Sequence, residues 1–284
     1  MKPQEFEYRR ATSLEEALEL LAARPGEARP IAGGQSMVPV MNMRLARPAA
    51  LVDIGRLGVL RGIAVEGGIL RLGALTLHRE LVESPVVREH APLLARAATH
   101  IGHEAIRNRG TLGGSLAHAD PAAELPACAV ALEARIVVAS RRGRRALHAG
   151  EIFLGPYTTA LEPDELVVAV EIPLAPPGRR VAFHEIARRV GDFAMAGGAG
   201  VARRDGAKLR DVRLVFFGVG SRPVLAPAAA AAVEGRAAAP DVTEAARRAL
   251  GSDVEPQADL HCSAPMKAHL VRVVLGRLIE ELAA

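Results

Sequence analysis

The chain has 284 residues, 36 of them basic and 32 acidic, with half hydrophobic, 24% charged and 3% aromatic. That length predicts about two domains with real cores, and the composition excludes disorder as the main state. The formal charge of +4 is almost all arginine spread along the chain, and two cysteines, Cys128 and Cys262, exclude both a disulfide framework and a four-thiolate iron–sulfur cluster.

A short extended piece at Phe6-Glu7-Tyr8 leads to Ser13-Leu14-Glu15-Glu16, a capping box with Glu16 placed to reach back to the cap. The helix behind it puts Leu14, Ala17, Leu18 and Leu21 on one face and stops before Pro25-Gly26. After Pro30-Ile31-Ala32 come Gly33-Gly34, a Met/Val-rich stretch to Pro48, and a short buried strand, Leu51–Ile54. Residues 63–66 and 69–73 read as strands of a hairpin turning at Gly67-Gly68. Residues 76–105 read as helical, broken at Ser84-Pro85 and near Pro92. Gly110 to Pro121 reads as a second glycine-rich loop, and Ala134–Ser140 as a strand that turns at Arg141–Arg145 into a segment ending at His148. That arginine run reads as a solvated turn, because eight aromatics offer no stacking platform for a nucleic acid. Leu166–Pro173 is a strand closed by proline, and residues 174–178 are the best linker. Beyond it, strands at 181–186, 194–203 and 212–217 and helices near 227–233, 241–250 and 265–282 make a smaller α+β unit. No stretch reaches the roughly 20 apolar residues of a membrane span, and the start lacks an apolar signal core, so the expected address is the cytoplasm.

The chemistry-bearing feature is a pair of glycine segments about 75 residues apart, Ala32-Gly33-Gly34-Gln35-Ser36 and Gly110-Thr111-Leu112-Gly113-Gly114-Ser115. Adjacent glycines allow positive φ and leave no Cβ, so consecutive amides can converge on an anion. Two such nests, each beside a hydroxyl, would suit a pyrophosphate. Other nucleotide readings fail on detail: there is no Lys between residues 3 and 207, which excludes a P-loop, and Phe217-Gly218-Val219-Gly220-Ser221-Arg222-Pro223 lacks the third glycine of a dinucleotide fingerprint. His100, His103 and His118 are too scattered for a metal site, and no GxSxG elbow supports a hydrolase.

The first segment, followed by Pro39, Met41, Arg44-Leu45 and Pro48, resembles the first FAD loop of the molybdenum hydroxylase flavoprotein subunits. Residues 107–126 resemble their second loop almost letter for letter, and residues 153–159, 163–166 and 188–194 fit as well. The resemblance covers essentially the whole chain. It implies an α+β fold: a two-subdomain FAD-binding domain of the vanillyl-alcohol-oxidase (PCMH) type over 1–175, with subdomains of about 1–55 and 56–175, then a smaller α+β C-terminal domain over 179–284. It implies FAD with its pyrophosphate between Ile31, Ala32, Gly33, Gly34, Gln35, Ser36, Met37 and Val38 on one side and Thr111, Leu112, Gly113, Gly114 and Ser115 on the other. By the same resemblance Ala119 and Asp120 border the site, Glu124 hydrogen-bonds the ribityl or isoalloxazine region, and Val167 and Phe193 pack near the ring. Some relatives carry a flavin-contacting Lys where this chain has His184 and Glu185.

The family's work is electron transfer. FAD takes electrons from the two 2Fe-2S clusters of a small partner subunit and passes them to an external acceptor. The substrate is oxidised at the molybdenum cofactor of a large partner, in a dimer of heterotrimers. No catalytic acid, base or nucleophile is expected in this chain. The competing readings are an autonomous flavin-dependent oxidoreductase with its own substrate pocket, and a scaffold that has lost its flavin.

Overall fold

The computed structural model describes residues 2–284. The first layer is β1 (Glu7–Arg10), α1 (Leu14–Ala23), β2 (Ala28–Ile31), α2 (Met37–Asn42) and β3 (Ala50–Asp53), followed by a 3-10 turn at Gly58–Leu60. Its three strands run parallel in the order β1-β3-β2, with α1 as the crossover between β1 and β2. The α1 start is capped by Ser13, whose Oγ accepts from the Glu16 amide at 3.1 Å. Glu16 reaches back one residue further than a capping box requires, accepting from the Thr12 amide at 2.7 Å and hydroxyl at 2.6 Å.

The second layer holds β4 (Ile63–Glu66), β5 (Ile69–Gly73), α3 (His78–Glu83), α4 (Pro85–His90), α5 (Pro92–Ala98), α6 (Glu104–Arg107), α7 (Leu112–His118) and α8 (Glu124–Ala131). It continues through β6 (Arg135–Ser140), β7 (Gly143–His148), α9 (Ala149–Ile152), β8 (Phe153–Gly155), β9 (Thr158–Thr159) and β10 (Leu166–Pro173). Its antiparallel sheet has the order β4-β5-β10-β6-β7, so the last strand in sequence lies at the centre. β10 is apolar on both faces because one side packs on the helical layer and the other on the first layer: Val167 and Val170 enter the former core, Leu166 and Val168 the latter.

The third layer is β11 (Arg179–Ile186), β12 (Ala196–Asp205), β13 (Lys208–Phe217), β14 (Val224–Leu225), α10 (Pro227–Val233), α11 (Pro240–Asp253) and α12 (Ala264–Ala283). Its antiparallel sheet is ordered β11-β12-β13-β14. One face packs on α12 and α10; the other sends Phe183, Ala199, Val215 and Phe217 into the same core as α5 and α8. The fold is thus mixed α and β, with the third sheet docked on the helices of the second layer.

Two local expectations change. The second glycine segment is not a loop through to Pro121: residues 112–118 are helical because Thr111 caps the turn and Gly113 packs against Ala74. The arginine run is not all turn either. Only Arg141-Arg142 turn, and Gly143 to His148 form β7, paired Ser140↔Gly143. Arg142 and Arg145 are held by Asp164 at 2.6 Å and Glu165 at 2.6 Å.

Candidate functional site

The two glycine segments meet. β2 delivers the chain to Ala32 and Gly33, and a Cβ built on Gly33 would lie 1.9 Å from the Arg109 carbonyl oxygen. No side chain larger than hydrogen fits there without parting the backbones. Arg109 Nε donates to the Gly33 carbonyl at 3.4 Å and Gln35 Nε2 donates to it at 3.1 Å, pinning the first segment from both sides. Gly34 has φ +73°, the one positive φ among the four paired glycines. The amides of Gly33, Gly34, Gln35 and Ser36 donate to no protein acceptor among the described residues. Four consecutive free donors are what an anion-binding nest requires.

The second segment is built differently. Leu112 and Gly113 amides donate to the Thr76 and Ala74 carbonyls at 2.9 and 2.8 Å, Gly114 to Thr111 Oγ1 at 3.1 Å, and Ser115 to the Thr111 carbonyl at 3.0 Å. Its donors are spent on stitching α7 to the strand end at β5. What remains for a ligand is the exposed Gly114 surface, which has no side chain, and the Ser115 hydroxyl. The expected pair of opposed amide nests is therefore one nest facing one smooth helix start.

Under this junction lies His78, which sequence reasoning did not single out. Its amide donates to the Gly110 carbonyl at 3.0 Å, and a Cβ on Gly110 would come within 2.7 Å of its ring. Neither ring nitrogen finds a well-formed hydrogen bond. Burial lowers its pKa to about 4, so the ring is neutral near pH 7. Arg109 was also missed as a contact. It was legible only as part of a motif, since no local pattern says which carbonyl a glycine admits.

The chain leaves α7 through Ala119, in the left-handed region at φ +52°. Asp120 accepts from the Ala122 amide at 2.9 Å and from the Tyr157 hydroxyl at 3.4 Å. The Pro121 carbonyl accepts from the Gly218 amide at 2.8 Å, and the buried Lys267 ammonium donates to the Gly218 carbonyl at 2.5 Å. The second segment is thus tied to the third layer.

Glu124 opens α8 and is buried. Desolvation, with the nearby Glu185 charge second, raises its pKa to about 8. Glu185 is raised to about 7 by burial. His184, next to it on β11, points the other way: its Nε2 lies 3.1 Å from Glu281 on α12, whose carboxylate also pairs with Arg96. Val167 is 4% exposed within the β10 core. Phe193 is 69% exposed on the turn between β11 and β12, a turn that closes on the second layer where Gly191 meets the Gly102 backbone. The structure therefore brings Gly33 against Arg109 and Gly110, the residues that lead into 111–115, ties Ala119 and Asp120 to the same segment, and gives Val167 and His184 packing partners of their own.

The cradle fits a pyrophosphate-bearing cofactor: free amides on one side, a surface without Cβ on the other. The comparisons agree with that chemistry. Residues 4–175 match the family described as "FAD binding domain in molybdopterin dehydrogenase", and residues 181–282 the "CO dehydrogenase flavoprotein C-terminal domain". The chain is 39% identical to the nicotine 6-hydroxylase medium subunit of Paenarthrobacter nicotinovorans, covering 100% of this chain and 99% of that one. It superposes on a carbon monoxide dehydrogenase structure from Hydrogenophaga pseudoflava with a TM-score of 0.96 at 38% identity, covering 99% and 98% of the two chains. The quinoline 2-oxidoreductase of Pseudomonas putida 86 gives 0.95 at 36% identity, covering 100% and 98%. With both halves matched and relatives aligned end to end, the chain belongs to the FAD-binding medium subunits of the molybdenum hydroxylases, the flavin-carrying chains of oxidoreductases of the carbon monoxide dehydrogenase type.

Proposed function

We propose that this chain is the flavin relay of a three-subunit hydroxylase, with the FAD pyrophosphate held by the Gly33–Ser36 amides and seated against Gly114 and Ser115. The observation that carries the reading is the apposition of Gly33 and Arg109, which leaves four amide donors free beside a helix start with no Cβ in the way. FAD supplies one- and two-electron chemistry when bound. The protein's own task is to hold and orient it, and Gln35 and Arg109 do so by fixing the Gly33 carbonyl away from the phosphate. In this reading Glu124 stands at the ribityl or ring end, with Phe193 on the turn above it. Residues 1–175 form the flavin domain and 179–284 the C-terminal domain.

The partners in this reading are a small subunit with two 2Fe-2S clusters, which delivers electrons, and a large subunit where the substrate is oxidised at a molybdenum cofactor. The assembly is a dimer of heterotrimers in the cytoplasm. Support comes from the medium-chain relatives and from the two cysteines, too few for a cluster here. The test is to incubate the purified chain with FAD, desalt it and record the flavin absorbance. Retained flavin, and capture of a small and a large partner when the three are co-expressed, is the expected result. A chain that retains flavin, binds neither partner and oxidises a substrate alone would favour an autonomous flavoenzyme instead.

A further inference from the structure

The turn that joins β8 to β9 carries a residue its geometry does not ask for. Pro156 and Tyr157 link the paired Gly155 and Thr158, with Pro156 first and Tyr157 second at φ +53°. After a proline, a positive φ at that second position is the ordinary place for glycine or asparagine. A bulky side chain there is a strained conformation that persists only where its surroundings hold it. The core does not require the ring, since Tyr157 is 61% exposed.

The contacts of Tyr157 fall on three successive residues of another segment. Its ring lies 5.0 Å, centroid to centroid, from that of His118, the last residue of α7, at an interplanar angle of 46°. Its amide donates to the Ala119 carbonyl at 3.0 Å. Its hydroxyl donates to Asp120 Oδ2 at 3.4 Å, while Oδ1 of the same carboxylate accepts from the Ala122 amide at 2.9 Å. Burial and the Asp120 charge raise the phenol pKa, so the hydroxyl keeps its proton. Ala119 is itself at φ +52°, so two strained residues meet backbone to backbone. The far side of this corner is closed separately, by the Gly218 amide on the Pro121 carbonyl and Lys267 behind it.

We propose that Tyr157 is a positioning residue for the flavin seat, fixing the end of α7 and the Ala119–Asp120 corner before the cofactor arrives. α7 has seven residues, so a fixed end also fixes the start at Gly114 and Ser115. The backbone strain at Tyr157 offsets part of the ordering that FAD would otherwise have to impose. The proposal rests on the reading that residues 111–120 border FAD.

The test uses the full chain and three substitutions. Tyr157→Gly and Tyr157→Asn suit the positive φ and remove the ring, whereas Tyr157→Phe keeps the ring on His118 and loses the hydroxyl. Without FAD, the Gly and Asn variants will melt no lower than the wild type. Their Ala119, Ala122 and Ala123 amides, all hydrogen-bonded within the corner, will nevertheless exchange about tenfold faster. Loaded with FAD and diluted, both will release it about tenfold faster, read as the rise in free-flavin fluorescence. Tyr157→Phe will stay within about threefold of the wild type in both measurements, because the bond it loses is long. Unchanged exchange and release in Tyr157→Gly would overturn the proposal. So would a melting temperature that falls in step with flavin loss, which would make the ring a general prop of the fold. Normal release in Tyr157→Asn beside fast release in Tyr157→Gly would also sink it, by assigning the effect to glycine's freedom. A wild type that retains no FAD overturns the flavin reading and the proposal with it; a wild type that retains FAD beside variants that release it no faster overturns the proposal alone.

Discussion

Gly33 carries the most specific demand of any single residue. Its missing side chain admits the Arg109 carbonyl, and a methyl group there would sit 1.9 Å from that oxygen. Gly33→Ala must therefore move one glycine segment off the other while leaving the three sheets intact. The expected outcome is at least about tenfold weaker FAD binding, equivalent to roughly 1.4 kcal/mol, with an unchanged apoprotein melting temperature. Flavin absorbance after desalting, beside a thermal melt, separates that result from simple unfolding. The glycine pairs allowed two explanations, positive φ and an absent Cβ. Only Gly34 uses the first; Gly33, Gly113 and Gly114 have no room for a Cβ because Arg109, Ala74 and Thr111 approach them. Such approaches join residues up to 76 positions apart, which a local pattern does not contain.

Elements were legible where hydrophobic periodicity and punctuation agree, as in α1 with its Ser13 cap and β10 closed by Pro173. The helical stretch after residue 76 breaks at Pro85 and Pro92 as the prolines demand. α7 and β7 were misread because their sequences look like turns: two glycines in one, a glycine within a solvated arginine run in the other. Tertiary partners override that appearance: Ala74 lies beneath Gly113, and Glu165 holds Arg145 of β7. β12 makes the argument testable. Its Ala-Gly-Gly-Ala-Gly start looks too poor in side chains for a central strand, yet it is buried because Phe217 and α12 occupy the space. A Cβ on Gly197 would lie 2.1 Å from the Phe217 ring. Gly197→Val overpacks that contact at a cost of roughly 1–3 kcal/mol, which for a chain this size lowers the melting temperature by about 3–9 °C. A calorimetric scan showing no loss would mean that Phe217 swings aside freely and that β12 is not held by this contact.

At the scale of the molecule, two buried titrations pull stability in opposite directions with pH. Glu124 and Glu185 have folded pKa values of about 8 and about 7, above their ordinary 4.5. Their contribution is fully present below 4.5 and is lost as pH rises through 7 and 8. His78 is the reverse case, with a folded pKa of about 4 against 6.5 unfolded. The unfolded chain takes up that proton first, so its contribution is whole above 6.5 and is lost as pH falls toward 4. The full swing is roughly 3 kcal/mol, from the size of the shift. Between 4.5 and 6.5 the two effects oppose, and because two acids outweigh one imidazole the maximum these groups set lies near the lower end of that window. His78→Gln removes one limb only. Its stability will fall more steeply than the wild type's as pH rises from 4.5 to 6.5, because the opposing gain is gone, and it will keep the fall above 6.5, because Glu124 and Glu185 are untouched. Urea unfolding midpoints measured at intervals across that range decide it. A His78→Gln slope equal to the wild type's over that window would place the proton uptake elsewhere, and would mean that the ring beneath Gly110 is already charged or already wet in the folded chain.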